Sequence, residues 1–501
     1  MVSVVACRQR LMIFYIEEVH KPQYWSTVLA FRDWMHDGQV LDGLMSATKA
    51  IAALFLGGLL IGGLYGWPFS SGSRETDRSP AEMKALPEAL TPDLEGERLV
   101  FLSVNTDVAA ARLLARWFND ATGATVQVRE VAYDRMLPHV LRDSERDAPD
   151  YDVVEIWYPT LARLVEEGAI RDLTDLIEAN EALLDTEDFL PGVYDAYSRH
   201  DGRRWALPYD VDTHLLFYRP SVLERHGLTP PETWSELDRA ARRITEAERD
   251  SGMVGLASMG YPTPIINVST FLNRFAARGA NFLDDNGRPL LDSGPALEAL
   301  EQLVAQESWV LASSLETDYE IARDAFLTGR AAMTEQWTDL AQYAQDRRYS
   351  TVEDDWGVVP MPRGDGAQGQ HSVNLNAGFS LAISDGTTRS EAAEAFVLFA
   401  SSPEIQKRLN LSGTGIDVGR HSVLESEAFR SRLPQLSRVL GEAWEGAVTP
   451  WPVTPRTPDL MASLSDAIAD AVARRAEPEE ALEHAQSDWL ERLDDQGREE
   501  P

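Results

Sequence analysis

From Arg98 onward, the sequence alternates between short apolar runs typical of buried strands and longer stretches with helical periodicity. Residues 99–104 form the first strand-like run, and an apolar stripe at helical spacing follows it as far as Gly123. Residues 124–131 alternate as a second strand, and residues 151–157 form a third before another helical stretch. Strands that alternate with helices fold as parallel βαβ units. The sequence therefore predicts an α/β protein.

Length, charge and cysteine content narrow the possible partners. At 501 residues, the chain suits two or three domains, and 44% hydrophobic with 25% charged residues is typical of a globular protein. The formal charge is −35, and the excess acid lies beyond Ser70. An acidic surface repels phosphates, which argues against nucleic acid as a partner. Cys7 is the only cysteine, so no thiolate cluster can form, and we expect no cofactor and no metal.

The N-terminal region carries one hydrophobic segment. Residues 50–69 are uncharged and long enough to span a bilayer. The segment 45–69 is therefore predicted to be a signal peptide or an uncleaved membrane anchor, and both interpretations stay open. Residues 1–44 form an unassigned extension. Residues 70–97 are rich in Ser, Pro and Glu, which predicts a linker.

Two helix starts and several core residues can also be read from the sequence. Thr233-Trp-Ser-Glu236 is a capping box that predicts a helix to about Ala247, and Ser402-Pro403 predicts another helix start. Three tryptophans within helical stripes and one strand histidine are predicted to pack in the core: Trp117, Trp234, Trp309 and His214.

Several motifs resemble, in the same order, those of the family 1 extracellular solute-binding proteins, the maltose/trehalose-type receptors of ABC importers. They include Ala115-Arg-Trp-Phe-Asn-Asp-Ala-Thr-Gly123, Tyr151-Asp-Val-Val-Glu-Ile-Trp157, Trp205-Ala-Leu-Pro-Tyr209, Phe326-Leu-Thr-Gly-Arg-Ala-Ala-Met333 and Asp355-Trp-Gly-Val-Val-Pro-Met-Pro362. No single motif is diagnostic, but the shared order extends from Leu99 to Leu493. The chain departs from the family pattern at Arg219, where Asn or Asp is usual, and at Asn376-Ala-Gly378, where many members have Gly-Gly.

This resemblance implies a two-lobed, type II-like periplasmic-binding-protein fold with hinge strands between the lobes, preceded here by the hydrophobic segment. One lobe would comprise residues 98–207 and 378–430. The other would comprise residues 208–377 and 431–497.

The resemblance also implies how the protein works. The chain would cross between lobes near residues 208–212 and 377–380, with a third connection around residues 430–445. A small solute, most simply a mono- or oligosaccharide, would bind in the cleft, and hinge closure would bury it. We expect a monomer that delivers its solute to ABC permease subunits, located at the periplasmic or extracellular face of the cytoplasmic membrane.

The candidate ligand-binding residues follow from the chemistry of sugars. Sugars present flat C–H faces and rims of hydroxyl groups, so a receptor needs aromatic rings to stack on and polar side chains to hydrogen-bond. Eleven residues in loops and hinge positions that match the cleft of the family are therefore predicted to contact the solute: Asn105, Asp107, Trp157, Tyr209, Asp210, Asp212, Trp337, Asp339, Gly378, Trp451 and Arg456.

Two alternatives stay open at this stage. The same aromatic rings and carboxylates could form a cage for a cationic solute such as a quaternary amine. An anionic solute is disfavoured, because Arg456 is the only cation among the candidates. A glycoside-processing enzyme would need two suitably spaced carboxylates, one with a raised pKa. The chain has no G-x-S-x-G, H-E-x-x-H or Walker motif, so we expect no catalytic residues and no enzyme.

Overall fold

The computed structural model describes residues 86–499 except 312, 366–368, 370 and 445–446. The predicted extension 1–44, the hydrophobic segment 45–69 and the first part of the predicted linker lie outside the described residues. Within the described part, no helix combines the length and apolarity needed to cross a membrane.

The strands fall into two main sheets and two small ones. Within the described residues they are β1 (Arg98–Val104), β2 (Thr125–Val131), β3 (Val153–Trp157), β4 (Arg199–His200), β5 (Arg203–Arg204), β6 (Leu207–Asp210), β7 (His214–Tyr218), β8 (Val254–Ala257), β9 (Ala331–Trp337), β10 (Gly357–Val359), β11 (Ser372–Leu375), β12 (Phe379–Ile383) and β13 (Ala447–Pro450). The first sheet has the order β2-β1-β3-β12-β6, and the second has the order β10-β7-β9-β8. The pairs β11-β13 and β4-β5 are separate.

The strand directions explain why the predicted βαβ pattern holds in part. Strand β1 pairs in parallel with β2 and β3, as crossover helices require, whereas β12 is antiparallel to both β3 and β6. In the second sheet, β8 and β9 are parallel, whereas β7 is antiparallel to β9 and β10. Both sheets are therefore mixed.

Helices cover these sheets. The α-helices of the described residues are Val108–Thr122, Met136–Ser144, Leu161–Glu166, Thr174–Ala179, Glu181–Leu184, Val193–Ser198, Pro220–Arg225, Trp234–Ala247, Ser269–Ala276, Gly294–Gln306, Tyr319–Leu327, Leu340–Ala344, Ser390–Ser401, Pro403–Asn410, His421–Leu424, Glu427–Arg432, Pro434–Ala443, Thr457–Val472 and Pro478–Glu499. A π-helical turn, Pro264–Val268, precedes one of them. The first helix ends at Gly123, which takes a left-handed φ of 81° that glycine adopts without steric cost.

The predicted helix starts are confirmed. Thr233 accepts a hydrogen bond from the Glu236 N–H at 3.3 Å, and the helix runs to Ala247. The Glu236 carboxylate reaches back to the Glu232 N–H rather than to that of Thr233. Pro403 opens the other predicted helix.

The residues predicted to pack in the core do so. Trp117, Trp234 and Trp309 are buried, although Trp309 lies in the turn after its helix rather than inside it. His214 is buried on β7, with its Nδ1 2.7 Å from the Asn273 amide nitrogen. Burial and the positive charge of Arg274 lower the pKa of His214 to about 3, so its ring is neutral at physiological pH.

Residues 86–97, the C-terminal part of the predicted linker, pack against the folded protein. The predicted linker boundary at residue 97 is therefore corrected. Leu86, Leu90 and Leu94 are buried against the helices and strands of the first sheet, and residues 88–90 form a short helical turn. Burying three leucines stabilises the docked segment by several kcal/mol, at about 1.5–3 kcal/mol for each side chain. The other domain limits stay predictions.

A short crossing links the two main sheets. The chain leaves the first sheet at Asp210 and enters the second at His214. It re-enters the first sheet at Phe379, on β12, directly after Leu375, the end of β11 in the separate β11-β13 pair. The first predicted crossing, 208–212, therefore begins inside β6. Because β6 and β7 are joined this closely, their ends hold side chains of both sheets near one another.

Candidate functional site

A cavity lies where the ends of β1, β6 and β9 and the start of β12 come together. It encloses about 530 Å³, open solvent included. Its lining combines carboxylates, aromatic rings and small or aliphatic side chains: Thr106, Asp107, Tyr133, Asp210, Asp212, Ile265, Ile266, Tyr319, Trp337, Asp339, Tyr343, Ala377, Phe379 and Gly415.

The aromatic part of the lining is held by packing among its own rings. Trp337 ends β9, and its ring centroid lies 4.5 Å from that of His214 and 5.6 Å from that of Tyr319. The Tyr319 hydroxyl donates a hydrogen bond to the Asp339 carboxylate. Tyr343 lies one helix further on and also lines the cavity. These rings form the wall that the second sheet contributes.

The acidic part of the lining comes from both sheets. Asp107 follows β1 at the start of helix Val108–Thr122, but its side chain makes no capping hydrogen bond with that helix. Asp210 ends β6, and its Oδ1 accepts a hydrogen bond from the Asp417 N–H at 2.5 Å. One oxygen each from Asp210, Asp212 and Asp417 lie within 4.8 Å of one another. Asp339, which follows β9, is the fourth carboxyl group of the cavity lining, beside Asp107, Asp210 and Asp212.

A further carboxyl group lies behind this lining. Glu155, on β3, is fully buried, and its Oε2 accepts hydrogen bonds from Ser103 Oγ at 2.8 Å and from the Val104 N–H at 3.2 Å. Its charge also raises the pKa of Tyr209. Six buried carboxyl groups therefore belong to this region, four in the lining and two, Glu155 and Asp417, behind it.

Burial and mutual repulsion raise the pKa of these carboxyl groups. Removal from water is the main cause in each case, because it penalises the charged form. The charge of Asp212 further raises the pKa of Asp210, and the charge of Asp417 further raises that of Asp212. The pKa of Asp339 rises to about 6, although the Tyr319 hydrogen bond and Arg323 oppose the increase.

The pKa values of the other three groups rise for the same reason. Burial raises the pKa of Asp107, Glu155 and Asp417, and the neighbouring charges of Asp107 and Asp339 add to the increase for Glu155 and Asp417 respectively. These carboxyl groups therefore release their protons less readily than exposed carboxyl groups do.

Positive charge is scarce at this site. No lysine or arginine is among the described residues that line the cavity. Arg323 lies with its guanidinium carbon 5.1 Å from the Tyr319 ring centroid and 5.3 Å from that of Tyr343, and it pairs with Asp324 at 3.1 Å. It lowers the Asp339 pKa without lining the cavity. The polar part of the described lining therefore consists of carboxyl and hydroxyl groups and the indole N–H of Trp337.

The structure brings together five of the predicted ligand-binding residues. Asp107, Asp210, Asp212, Trp337 and Asp339 all line the cavity. Contact of each with a solute stays a prediction.

Three predicted aromatic residues lie outside the lining of this cavity, and their contact with a solute stays a prediction. Tyr209 and Trp451 are buried in the cores of the fold. Trp157 is partly buried and packs edge to face against Trp451, with centroids 4.9 Å apart.

The remaining predicted residues support the cavity or lie away from it. The Asn105 Oδ1 accepts a hydrogen bond from the Tyr133 N–H at 3.1 Å, which positions a lining residue. Gly378 lies between two lining residues with a φ of 91°. Arg456 precedes helix Thr457–Val472 and is not in the lining.

The sequence analysis did not predict several residues of the lining. Only some of them lie in a local sequence pattern that could have identified them. Tyr133 follows β2 directly, and the rule that binding loops lie at the carboxyl ends of strands applies to it as it does to Asp107. Tyr319 follows Asp318, whose side chain caps a helix, but nothing in that pattern points to a cleft. Tyr343 and the loop that carries Gly415 and Asp417 carry no local signal.

Comparisons with known proteins agree with this geometry. The family model described as bacterial extracellular solute-binding protein matches residues 104–407, which is more than half of the chain. The chain belongs to this family. It is therefore a substrate-binding component of an ABC importer, with the two-lobed α/β fold that its sequence predicts.

Individual relatives of this solute-binding protein match half or more of its length. A solute-binding protein of Agrobacterium radiobacter K84, solved in complex with ribitol, is 26% identical with a TM-score of 0.71, and the match covers 79% of this chain and 98% of that one. A probable amino-acid ABC transporter periplasmic-binding protein of Sinorhizobium fredii is 23% identical over 75% of this chain and 84% of its own. A mannitol-binding protein of Pseudomonas aeruginosa is 26% identical over 50% of this chain and 57% of its own.

Family membership determines the general role of the solute-binding protein. Members of the family are solute-binding transport proteins rather than enzymes, and they act on the extracellular or periplasmic side of the membrane. A small solute and the membrane permease are therefore the partners of this chain.

Proposed function

We propose that the cavity captures a small polyhydroxylated solute, a sugar or a polyol, for import and performs no chemistry on it. The observation that carries this proposal is the meeting of carboxylates and aromatic rings in one cavity. A carboxylate accepts hydrogen bonds from adjacent hydroxyl groups, and an aromatic ring packs against the C–H face between them.

The ligands of two relatives support the same class of solute. Ribitol and mannitol are named as the ligands of two relatives. Both are small polyols whose hydroxyl groups and C–H faces complement carboxylates and aromatic rings.

The same carboxyl groups make the enzymatic alternative testable. A glycosidase needs an acid with a raised pKa and a second carboxylate, and the cleft contains several acids with raised pKa values. The proposal of pure binding predicts no turnover when the purified protein is incubated with oligosaccharides and reducing ends are measured. Release of reducing ends above a heat-inactivated control would contradict it.

The binding proposal is tested with a panel of neutral and aminated polyols and sugars. Ribitol, mannitol, sorbitol, glucose and galactose are titrated by calorimetry, together with aminated counterparts of the hexitols and hexoses. We expect at least one member to bind and to raise the melting temperature, because a ligand that binds only the folded state stabilises it by about 2.7 kcal/mol at a hundredfold excess over Kd. Binding by no member of the panel would refute the proposal.

Trp337 provides the variant that links affinity to the cavity. Trp337→Ala should weaken binding of the tightest panel member at least about tenfold, because it removes a ring from the cavity wall. Trp309→Ala is the matched control: it removes an equally buried tryptophan of the second lobe that does not line the cavity. Both variants should lose about 3–5 kcal/mol of stability. Equal loss of affinity in both variants would show that Trp337 acts through folding alone.

A further inference from the structure

The cleft brings six buried carboxyl groups together with little positive charge in its lining. No lysine or arginine is among the described lining residues; Arg323 lies behind them, where it opposes the increase in the Asp339 pKa and pairs with Asp324. Burying a carboxylate without a positively charged partner is unfavourable, so a cation in this cleft would stabilise the charged form of these groups. A neutral polyol would leave that situation unchanged, since its hydroxyl groups bring no positive charge.

Carboxylate oxygen atoms without hydrogen-bond partners are a second, independent observation that points to a ligand with hydrogen-bond donors. Asp107 Oδ2, Asp339 Oδ1 and Asp417 Oδ2 are buried and have no hydrogen-bond partner among the described residues. Asp107 and Asp339 are each more than nine-tenths buried, and both line the cavity. Buried polar atoms are nearly always hydrogen-bonded in folded proteins, so these oxygens await donors from the solute.

The acidic groups lie close enough together to share one ammonium group. One oxygen each from Asp210, Asp212 and Asp417 lie within 4.8 Å of one another. Three acceptors that each lie about 2.8 Å from one nitrogen can be up to about 4.6 Å apart in the tetrahedral directions of its N–H bonds. Asp210 and Asp212 line the cavity, so a solute amine reaches this group from inside the cleft.

We propose that the solute carries a protonated amine among its hydroxyl groups, as in an aminated polyol or an amino sugar, with the ammonium group held by Asp210, Asp212 and Asp417. This inference rests on the proposed function and specifies its solute. A quaternary amine fits less well, because it has no N–H groups to donate to the free oxygens. A lone metal ion would leave the aromatic wall of Trp337 and Tyr319 and most of the cavity volume without a role.

Matched solute pairs test this inference. Each pair differs by an amine in place of one hydroxyl group: glucamine and sorbitol, 1-amino-1-deoxymannitol and mannitol, glucosamine and glucose, galactosamine and galactose. Calorimetry at pH 7 in buffers of different ionisation enthalpy gives the affinity and the number of protons released. We expect an aminated member to bind at least about tenfold more tightly than its neutral partner, because hydrogen bonds to charged groups are stronger than neutral ones. We also expect its binding to release protons.

Variants assign the effect to the carboxyl groups. Asp212→Asn should reduce the preference for the aminated member to within about threefold of its neutral partner, because it removes a charge while keeping a similar shape. Glu320→Gln, at an exposed position of helix Tyr319–Leu327, should keep the full preference. The titratable and charged groups near the proposed ammonium position include Asp107, Glu155, Tyr197, Tyr209, Asp210, Asp212, Tyr319, Arg323, Asp339, Tyr343 and Asp417.

The outcomes separate this inference from the function on which it rests. A neutral member that binds as tightly as its aminated partner would overturn the inference and leave the polyol-binding proposal standing. Stoichiometric binding of calcium chloride alone, without binding of any aminated solute, would overturn it in favour of a metal ion. Binding by no member of any pair would refute the inference, and absence of ribitol binding as well would refute both proposals.

Discussion

The buried carboxyl group of Asp339 should make the stability of the solute-free protein depend on pH. Burial is the main cause that raises its pKa to about 6, whereas an unfolded aspartate titrates near 4. Because the folded state binds the proton more tightly, the contribution of Asp339 to stability is present below about pH 4. It is lost as the pH rises through about 6. A difference of about two pKa units corresponds to about 3 kcal/mol.

The substitution Asp339→Asn isolates this contribution, because the amide is similar in shape and does not titrate. The free energy of unfolding is measured in urea by tryptophan fluorescence for both proteins, between pH 4 and pH 8. We expect the wild-type protein to lose about 3 kcal/mol relative to the variant across this range, with most of the change between pH 4 and pH 6. The substitution also removes the Asp339 charge that raises the pKa values of Asp210, Asp212 and Asp417, so the measured difference includes the coupling of Asp339 to these neighbours.

A surface control and a clear contrary result complete the design. Glu320→Gln removes a charge from an exposed position on helix Tyr319–Leu327, and its difference from the wild-type protein should change little with pH. A constant free-energy difference between wild-type protein and Asp339→Asn across the range would refute the reasoning. So would a wild-type protein that gains stability relative to the variant as the pH rises.

Two further predictions concern residues that hold the lobes in shape. Gly378→Ala should destabilise the protein by about 2–5 kcal/mol in urea unfolding, because φ is 91° and the new Cβ would lie 2.0 Å from the buried Tyr197 hydroxyl oxygen. The control Gly441→Ala changes a helical glycine with open space around it and should be neutral or stabilising. Equal effects of the two substitutions would contradict this account. Arg274→Met should cost about 3–5 kcal/mol, because it leaves the Glu335 carboxylate, 2.6 Å from the Arg274 guanidinium, buried without its partner. The double variant with Glu335→Leu should regain at least half of that loss, and failure to do so would show that the pair acts mainly through its other neighbours.

The sequence by itself determined the elements of this protein and their order. Apolar runs and helical stripes depend on neighbours a few residues apart, so the strands β1, β2 and β3, the Thr233 cap and the glycine at position 123 could be predicted from local patterns. The resemblance to the solute-binding family also marked Asp107 and Asp339 as candidates, and both line the cavity.

Only the tertiary structure decided which of two neighbouring residues faces the cavity. Tyr209 and Asp210 are adjacent on β6, and successive side chains of a strand point to opposite faces. The sequence marks both residues, but the packing of helices on one face buries Tyr209 in the core and leaves Asp210 in the lining. Tyr343 and Asp417 reach the site through long-range packing, which leaves no trace in the residues beside them. The acidic cluster exists because strands and loops distant in sequence converge, and no local pattern records that convergence.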